Sequence, residues 1–204
     1  PVLMSGTQNA GTFTFTQDAG ILHEFAAING SNLFIPKYIE TVPNQNLHGM
    51  PQADLIIVTY PPYLSQANEL ADYHRQHDNM RVNVATTTEI YNEFSSGGQD
   101  ISAIRDFVRM FYKRAGSDNT QMPSYLLLFG GGSYDYKNRL ANNHNFVPVF
   151  ESANSVDDNL SLSSDDFYGF LDDSENIENN SALNVLDIGI GRLPARNATD
   201  ASIL

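Results

Sequence analysis

The stretch Tyr125–Tyr136, YLLLFGGGSYDY, decides the fold that is predicted for this chain. Its first five residues form a continuous apolar run, which is typical of a strand buried on both faces of a parallel sheet. Gly130, Gly131 and Gly132 end the run, because three glycines allow backbone angles and close approaches that a Cβ would prevent. Ligands of open α/β sheets bind outside the carboxyl ends of such strands. The glycine turn is therefore expected at the functional edge of the sheet.

Further segments around this strand alternate between strand and helix patterns, which predicts a parallel sheet flanked by helices. The predicted strands are Leu55–Thr59, Arg81–Ala85, Tyr125–Phe129 and Leu186–Ile190. The predicted helices begin at caps formed by Ser65, by the threonines at 86–88, by Asp100 and by Asn197. The pattern predicts a flavodoxin-like arrangement over residues 51–204.

Residues 1–50 have a different character, with polar and aromatic residues alternating over Gly11–Thr16. This period of two predicts a half-buried strand, and His23–Ile28 and Pro36–Val42 are weaker strand candidates. The segment is expected to be the end of a β-rich module followed by a polar connector. Because it is too short to bury a core alone, the chain is expected to be part of a longer protein.

The composition excludes several classes of function. The chain of 204 residues has 11 basic and 24 acidic residues and a net charge of −13, which argues against nucleic-acid binding. No apolar stretch has the length of a membrane-spanning helix. The absence of cysteine excludes disulfides, thiolate metal sites and a cysteine nucleophile within this chain.

Acidic residues are concentrated between Arg139 and Arg192, where neither lysine nor arginine occurs. They are Glu151, Asp157, Asp158, Asp165, Asp166, Asp172, Asp173, Glu175, Glu178 and Asp187. A solvated acidic surface is one interpretation. A calcium site is the other, since hard cations bind several carboxylate and carbonyl oxygens. Asp165 and Asp166 are candidates either for binding a cation or for holding a neighbouring loop by its amides.

The glycine turn also suggests a phosphate loop or a hydrolase site, but both patterns are incomplete. A dinucleotide-binding turn opens directly into a helix, whereas Ser133 to Tyr136 follow here. Ser133 near Asp135 lacks the flanking glycines of a nucleophile elbow. His144 lies in a loop composition and is interpreted as a solvated residue. A tight turn that lets the chain leave the sheet is the favoured interpretation.

Several motifs together resemble those of the gingipain-type cysteine peptidases, from about Asn44 to the end of the chain. They are Ala53–Ile57, Ile90–Ser95, Asp100–Phe107, Tyr125–Gly130, Ser164–Gly169 and Ile190–Pro194. The resemblance implies a caspase-like catalytic domain of two α/β subdomains, preceded by β-rich modules. It also implies a parent protein that acts on protein substrates outside the cell. The resemblance further implies that the parent removes the C-terminal signals of proteins exported by type IX secretion, at the bacterial surface or outer membrane, with secretion-system components as partners.

In this family a histidine of a Gly-His-Gly turn activates a cysteine thiolate, which attacks the peptide carbonyl. Both residues belong to the second subdomain, and this chain contains neither the turn nor a cysteine. The resemblance therefore implies that the chain is the first subdomain together with the end of the preceding module. It also implies that the chain carries no catalytic residue and is inactive without the C-terminal catalytic subdomain.

The resemblance implies supporting roles for other residues. Those expected at the substrate edge are Gly130, Ser133, Asp135, Asp165 and Asp166, and those expected to bind calcium are Asp172, Asp173, Glu175 and Glu178. No organic cofactor is expected. Gly131 departs from the family pattern, since relatives usually carry an acidic residue there.

Two other classes of function remain open on the sequence. The chain is a catalytically silent scaffold or interaction module if no Gly-His-Gly turn and cysteine follow it. It is a flavodoxin-like binder of a small ligand if Gly130–Ser133 hold a phosphate.

Overall fold

The computed structural model describes residues 2–28, 33–38, 41–152, 161–175, 177 and 184–203. The chain divides into two compact units, Pro1–Thr41 and Val42–Leu204. The polar connector that the sequence predicts, Pro43–Pro51, thus belongs to the second unit.

The described residues of the first unit contain one β-hairpin, formed by β1 (Thr7–Asn9) and β2 (Thr12–Thr14). Ala10 and Gly11 connect the strands with φ angles of 47° and 84°, as a two-residue hairpin turn requires. The predicted strand at Gly11–Thr16 is therefore confirmed over Thr12–Thr14, but its expected half-burial is wrong, because all three residues are exposed. The weaker candidate His23–Ile28 forms no strand, nor do the described residues of Pro36–Val42. Their apolar side chains are largely exposed, so no buried face stabilises an extended conformation.

The second unit is built on a parallel sheet, as predicted. Its strands are β3 (Leu55–Thr59), β4 (Val82–Thr86), β5 (Tyr125–Phe129), the two-residue β6 (Phe150–Glu151) and β7 (Ser163–Ser164), and β8 (Gly189–Leu193). Four of them form one sheet in the order β4-β3-β5-β8, with all pairs parallel. A separate antiparallel pair joins β6 and β7.

Strand β8 begins three residues later than the sequence predicts. Leu186 is exposed, and the side chain of Asp187 accepts hydrogen bonds from the Leu171 amide and the Tyr112 hydroxyl. These two residues therefore belong to the loop before the strand, and the apolar period alone does not reveal that boundary.

In the part of the chain that the structure describes, four helices flank the sheet: α1 (Leu64–His77), α2 (Thr87–Phe94), α3 (Ile101–Ala115) and α4 (Ala198–Ile203). Asp100 caps α3 through a 2.7 Å hydrogen bond from the Ser102 amide, and Thr86 caps α2 in a capping box with Glu89. The predicted cap at Ser65 is wrong. The short 3₁₀ helix Pro61–Tyr63 leads directly into α1, so Ser65 already lies in the first turn.

The core has one layer on each side of the sheet. Ile56, Val58, Leu126 and Leu128 pack beneath α2 and α3, while Ile57 and Phe129 face α1 and α4. This alternation explains the continuous apolar runs of β3 and β5, since successive side chains point to opposite buried faces. Tyr125, at the amino end of β5, is exposed.

The segment before β3 is held against α2 by Glu93. Its carboxylate accepts hydrogen bonds from the amides of Leu47 and His48, at 2.6 and 3.2 Å, and lies 2.7 Å from His48 Nδ1. Burial alone would raise the pKa of Glu93, but the hydrogen bonds from Leu47, Gln45 and His48 lower it to about 2. Leu47 is buried in the core as a result.

No described helix has both the length and the apolar character that crossing a membrane requires.

Candidate functional site

The carboxyl ends of β3, β5 and β8 form the candidate edge. The chain runs from β3 to β4 on one side and from β5 to β8 on the other, so the strand order reverses between β3 and β5, which is where α/β sheets bind ligands. The Tyr60 amide donates to the Phe129 carbonyl at 3.2 Å, which joins the ends of β3 and β5.

The glycine turn packs backbone against backbone at this edge. Gly130 has a φ of 149°, which side chains disfavour. A Cβ added to Gly131 would lie 2.8 Å from the His144 carbonyl oxygen. The turn therefore needs glycine at these two positions for close packing.

The amides of the turn bind protein atoms. Gly130 donates to the Leu193 carbonyl and Gly131 to the Ala195 carbonyl, both at 2.9 Å. The Ser133 amide donates to Asn145 Oδ1 at 3.1 Å, and the chain continues into irregular structure. A phosphate cradle needs free amides that open a helix. The geometry therefore disfavours the phosphate-binding interpretation.

Ser133 and Asp135 organise the loop that follows. The side chain of Asp135 is almost fully buried, and its Oδ2 accepts from the Leu140 amide at 2.6 Å and from Asn143 Nδ2 at 3.3 Å. The Ser133 hydroxyl accepts from the Asp135 amide at 3.1 Å. Both predicted edge residues thus hold the loop in place, and neither has the geometry of a nucleophile with its base.

Arg192, on β8, is the central polar residue of the edge. Its Nη1 donates to the carbonyls of Gly130 and Val147, each at 2.8 Å. Its Nε and Nη2 donate to the two carboxylate oxygens of Asp165 at 2.8 and 2.6 Å. In the sequence Arg192 stands out only as part of a family motif, and an arginine within the last residues of a parallel strand is the signal that could have marked it.

The two neighbouring aspartates, Asp165 and Asp166, do not act as a pair. Asp165 is bound to Arg192, whereas Asp166 is exposed at the start of the 3₁₀ helix Asp166–Gly169 and donates its amide to Ser164 Oγ at 3.1 Å. Of the two interpretations left open, holding a neighbouring segment fits Asp165.

A cleft of about 280 Å³ opens beside this network. The residues that define its polar wall are Gly131, His144, Ser164, Asp165, Arg192 and Arg196.

A second group, of carboxylates, lies on the loop before β8. One oxygen each from Asp172, Glu175 and Asp187 lies within 4.8 Å of the others. The Tyr112 hydroxyl donates a hydrogen bond to Asp187 Oδ1 at 3.1 Å. Burial and the neighbouring Asp187 carboxylate together raise the pKa of Tyr112 to about 12. Three carboxylates this close repel one another unless a cation lies between them. Their oxygens are the ligand type that Ca²⁺ prefers.

The predicted calcium ligands are only partly brought together. Asp173 pairs with Arg109 and lies 3.4 Å from Lys113 Nζ, and Glu178 lies outside the described residues. Asp187 was missed as a ligand because it is distant in sequence. Hydrogen bonds of Asp187 with the Gly169 carbonyl and the Leu171 amide bring it to the cluster.

The comparisons with known proteins give the class of protein first. The model of peptidase family C25 matches residues 48–204, so this chain belongs to peptidase family C25. No curated protein matches the chain.

Among solved structures, the chain is similar to dimeric latent PorU from Porphyromonas gingivalis, with 34% identity and a TM-score of 0.64. The match covers 79% of this chain and 16% of PorU, so the chain spans about a sixth of that relative. The complex of Porphyromonas gingivalis RgpB pro- and mature domains is 18% identical, with a TM-score of 0.46, over 72% of this chain and 26% of that one. The Arg-specific cysteine proteinase gingipain R (RgpB) is 17% identical, with a TM-score of 0.47, over 77% and 28%.

The predicted gingipain-type family is thus confirmed, with PorU as the relative that the chain resembles, and so is the caspase-like parallel sheet.

Proposed function

We propose that the chain is the first α/β subdomain of a gingipain-like cysteine endopeptidase. The parent protein removes C-terminal secretion signals from proteins exported by type IX secretion, outside the cell at the outer membrane. The family match over residues 48–204 is the observation that carries the proposal, and the 34% identity to PorU supports it.

The chain contributes the scaffold of the active site in this proposal. It has no cysteine, so the thiolate that attacks the peptide carbonyl comes from the second subdomain, together with the histidine that activates it. The cleft beside Arg192, at the carboxyl edge of the sheet, faces the bound peptide. Asp165, Gly130 and Asp135 fix the backbone of that edge through the contacts described above.

A cleavage assay tests this function with a reporter protein that ends in a type IX secretion signal. The full-length parent is expected to release the signal, and replacement of its catalytic cysteine by alanine is expected to stop the release. The 204-residue chain alone is expected to leave the reporter intact.

Release by the isolated chain would contradict the proposal. A parent that contains no Gly-His-Gly turn or cysteine would also contradict it, and would favour the scaffold or interaction module instead.

We also propose that the parent binds calcium through Asp172, Glu175 and Asp187. Two of them, Asp172 and Glu175, are among the ligands expected from the sequence, and Asp187 is new. Asp173 is left out because it pairs with Arg109 and Lys113. An ion there would neutralise the carboxylates and join the loop of Asp172 and Glu175 to the residues before β8. Calcium sites of extracellular modules work at about 10⁻⁴–10⁻³ M, which suits the proposed location.

A further inference from the structure

Two arginines line the cleft, on a chain whose net charge is −13. Asp165 is the one acidic residue among the described residues that line it, and its bidentate contact pairs it with Arg192. In the residues that the structure describes, the second arginine, Arg196, has only one long contact with a carboxylate, 3.5 Å from Nε to Asp200 Oδ2. The cleft is therefore set apart from the acidic surface of the stretch between Arg139 and Arg192.

Arg196 has most of its hydrogen-bonding capacity available. Its side chain is 71% exposed, and Nε lies 3.5 Å from Asp200 Oδ2, which also accepts from the Arg196 amide at 3.2 Å. Within the described part of the chain, the two terminal nitrogens of the guanidinium have no hydrogen-bond partner. A carboxylate ligand that binds both of them would form a forked, charge-assisted contact.

One further side chain presents a donor to an anion. The Ser164 hydroxyl accepts from the Asp166 amide, which leaves its own hydrogen free to donate. His144 Nδ1 donates to the Asn142 carbonyl at 2.5 Å, so the neutral ring has only an acceptor left at Nε2 and adds no donor for the anion. Val149 and Pro194 add an apolar wall.

We infer that this cleft binds the acidic side chain of a peptide, with Arg196 as the residue that pairs with the glutamate or aspartate. The inference deepens the proposed function and rests on it for the peptide nature of the ligand. It assigns a preference for acidic residues in the peptide. A basic side chain would meet Arg196 without an unpaired carboxylate nearby, so the cleft disfavours it.

Calorimetric titration of the 204-residue chain tests the inference with two peptides, acetyl-Ala-Glu-Ala-amide and acetyl-Ala-Gln-Ala-amide. The glutamate peptide is expected to bind about 3- to 10-fold more tightly at low salt, the range of one exposed charge-assisted contact. The difference is expected to shrink at about 0.5 M salt, because screening weakens exposed ion pairs.

Arg196→Gln is expected to abolish the preference, and Arg196→Lys to keep part of it. Arg139→Gln is the matched control, since it removes the same charge from an exposed residue that does not line the cleft. Thermal unfolding of each variant verifies that the fold is retained.

Equal affinity for the two peptides, binding of neither, or a preference that survives Arg196→Gln would overturn the inference. A parent protein that cleaves its reporter while the chain shows no preference would defeat the inference alone. A preference for the glutamate peptide in a parent without peptidase activity would defeat the proposed function instead.

Discussion

Arg192 and Asp165 face each other in a bidentate ion pair, with Nε and Nη2 of the arginine 2.8 and 2.6 Å from the two carboxylate oxygens. Their side chains are only 13% and 23% exposed. Because Arg192 also donates to the carbonyls of Gly130 and Val147, it ties the long segment between β5 and β8 to the end of the sheet. The pair is thus a structural crosslink at the edge of the cleft.

Replacing Arg192 by methionine is expected to lower the free energy of unfolding by about 3 kcal/mol, because Asp165 and two carbonyls lose their donor in a largely buried place. Asp165→Asn is expected to cost less, about 1 kcal/mol, since the amide oxygen still accepts a hydrogen bond. Urea denaturation measures both. Equal costs for the two variants would mean that the charge of Asp165, and not the donors of Arg192, dominates this edge.

Glu93→Gln is expected to destabilise the chain in a pH-dependent way. The pKa of Glu93 is about 2 in the folded state and 4.5 as its ordinary value. A lowered pKa gives stability that is present above about pH 4.5 and is lost as the pH falls toward 2. The variant is therefore expected to be less stable than the wild type at pH 7 by about 1–2 kcal/mol, after solvent screening is allowed for. The gap is expected to narrow at pH 2.5.

Urea denaturation at the two pH values measures this gap. Glu69→Gln serves as its control, because it removes the same charge from an exposed position on α1. If the stability difference between the wild type and Glu93→Gln does not change with pH, the loss of stability comes from altered packing or hydrogen bonding and not from the charge of Glu93.

Gly131→Ala is expected to cost about 1–3 kcal/mol, because the added methyl would press against the His144 carbonyl, a backbone atom that cannot move alone. Gly98→Ala provides the comparison. Its added carbon would lie 3.4 Å from the Ser95 carbonyl, an ordinary contact, in an exposed turn. We expect less than about 0.5 kcal/mol there. Thermal or urea unfolding measures the stability of both variants. A Gly131→Ala variant as stable as the wild type would mean that the turn can shift to accommodate the methyl group.

Millimolar calcium is expected to raise the melting temperature of the chain by about 3 °C or more, and a chelator is expected to reverse the shift. Asp187→Asn is expected to remove most of the shift, because it takes one carboxylate from the cluster. Asp173→Asn is expected to retain the shift, since that carboxylate pairs with Arg109 and Lys113. An unchanged melting temperature for the wild type would rule out the calcium proposal. A shift that Asp187→Asn retains would rule out the assignment to Asp187.

Apolar runs predicted the strands of the sheet, and capping residues predicted most helix starts. Asp100 and Thr86 cap their helices as predicted, because an N-cap needs only a side-chain oxygen and the next few amides. The predicted cap at Ser65 is wrong because the 3₁₀ helix Pro61–Tyr63 leads directly into α1. The first unit was the least predictable part, since its apolar residues have no buried face that would fix them as strands.

The sequence by itself determined the parallel sheet, the family and the absence of a cysteine nucleophile. Apolar runs, caps and residue types are properties of short segments, and they survive without knowledge of distant contacts. The tertiary structure alone decided which polar residues meet. Asp187 joins Asp172 and Glu175, Asp173 turns to Arg109, and Arg192 reaches back to Asp165. The path of the chain between β5 and β8 brings these residues to their partners on other elements. Such contacts cannot be predicted from the spacing of residues within a short segment.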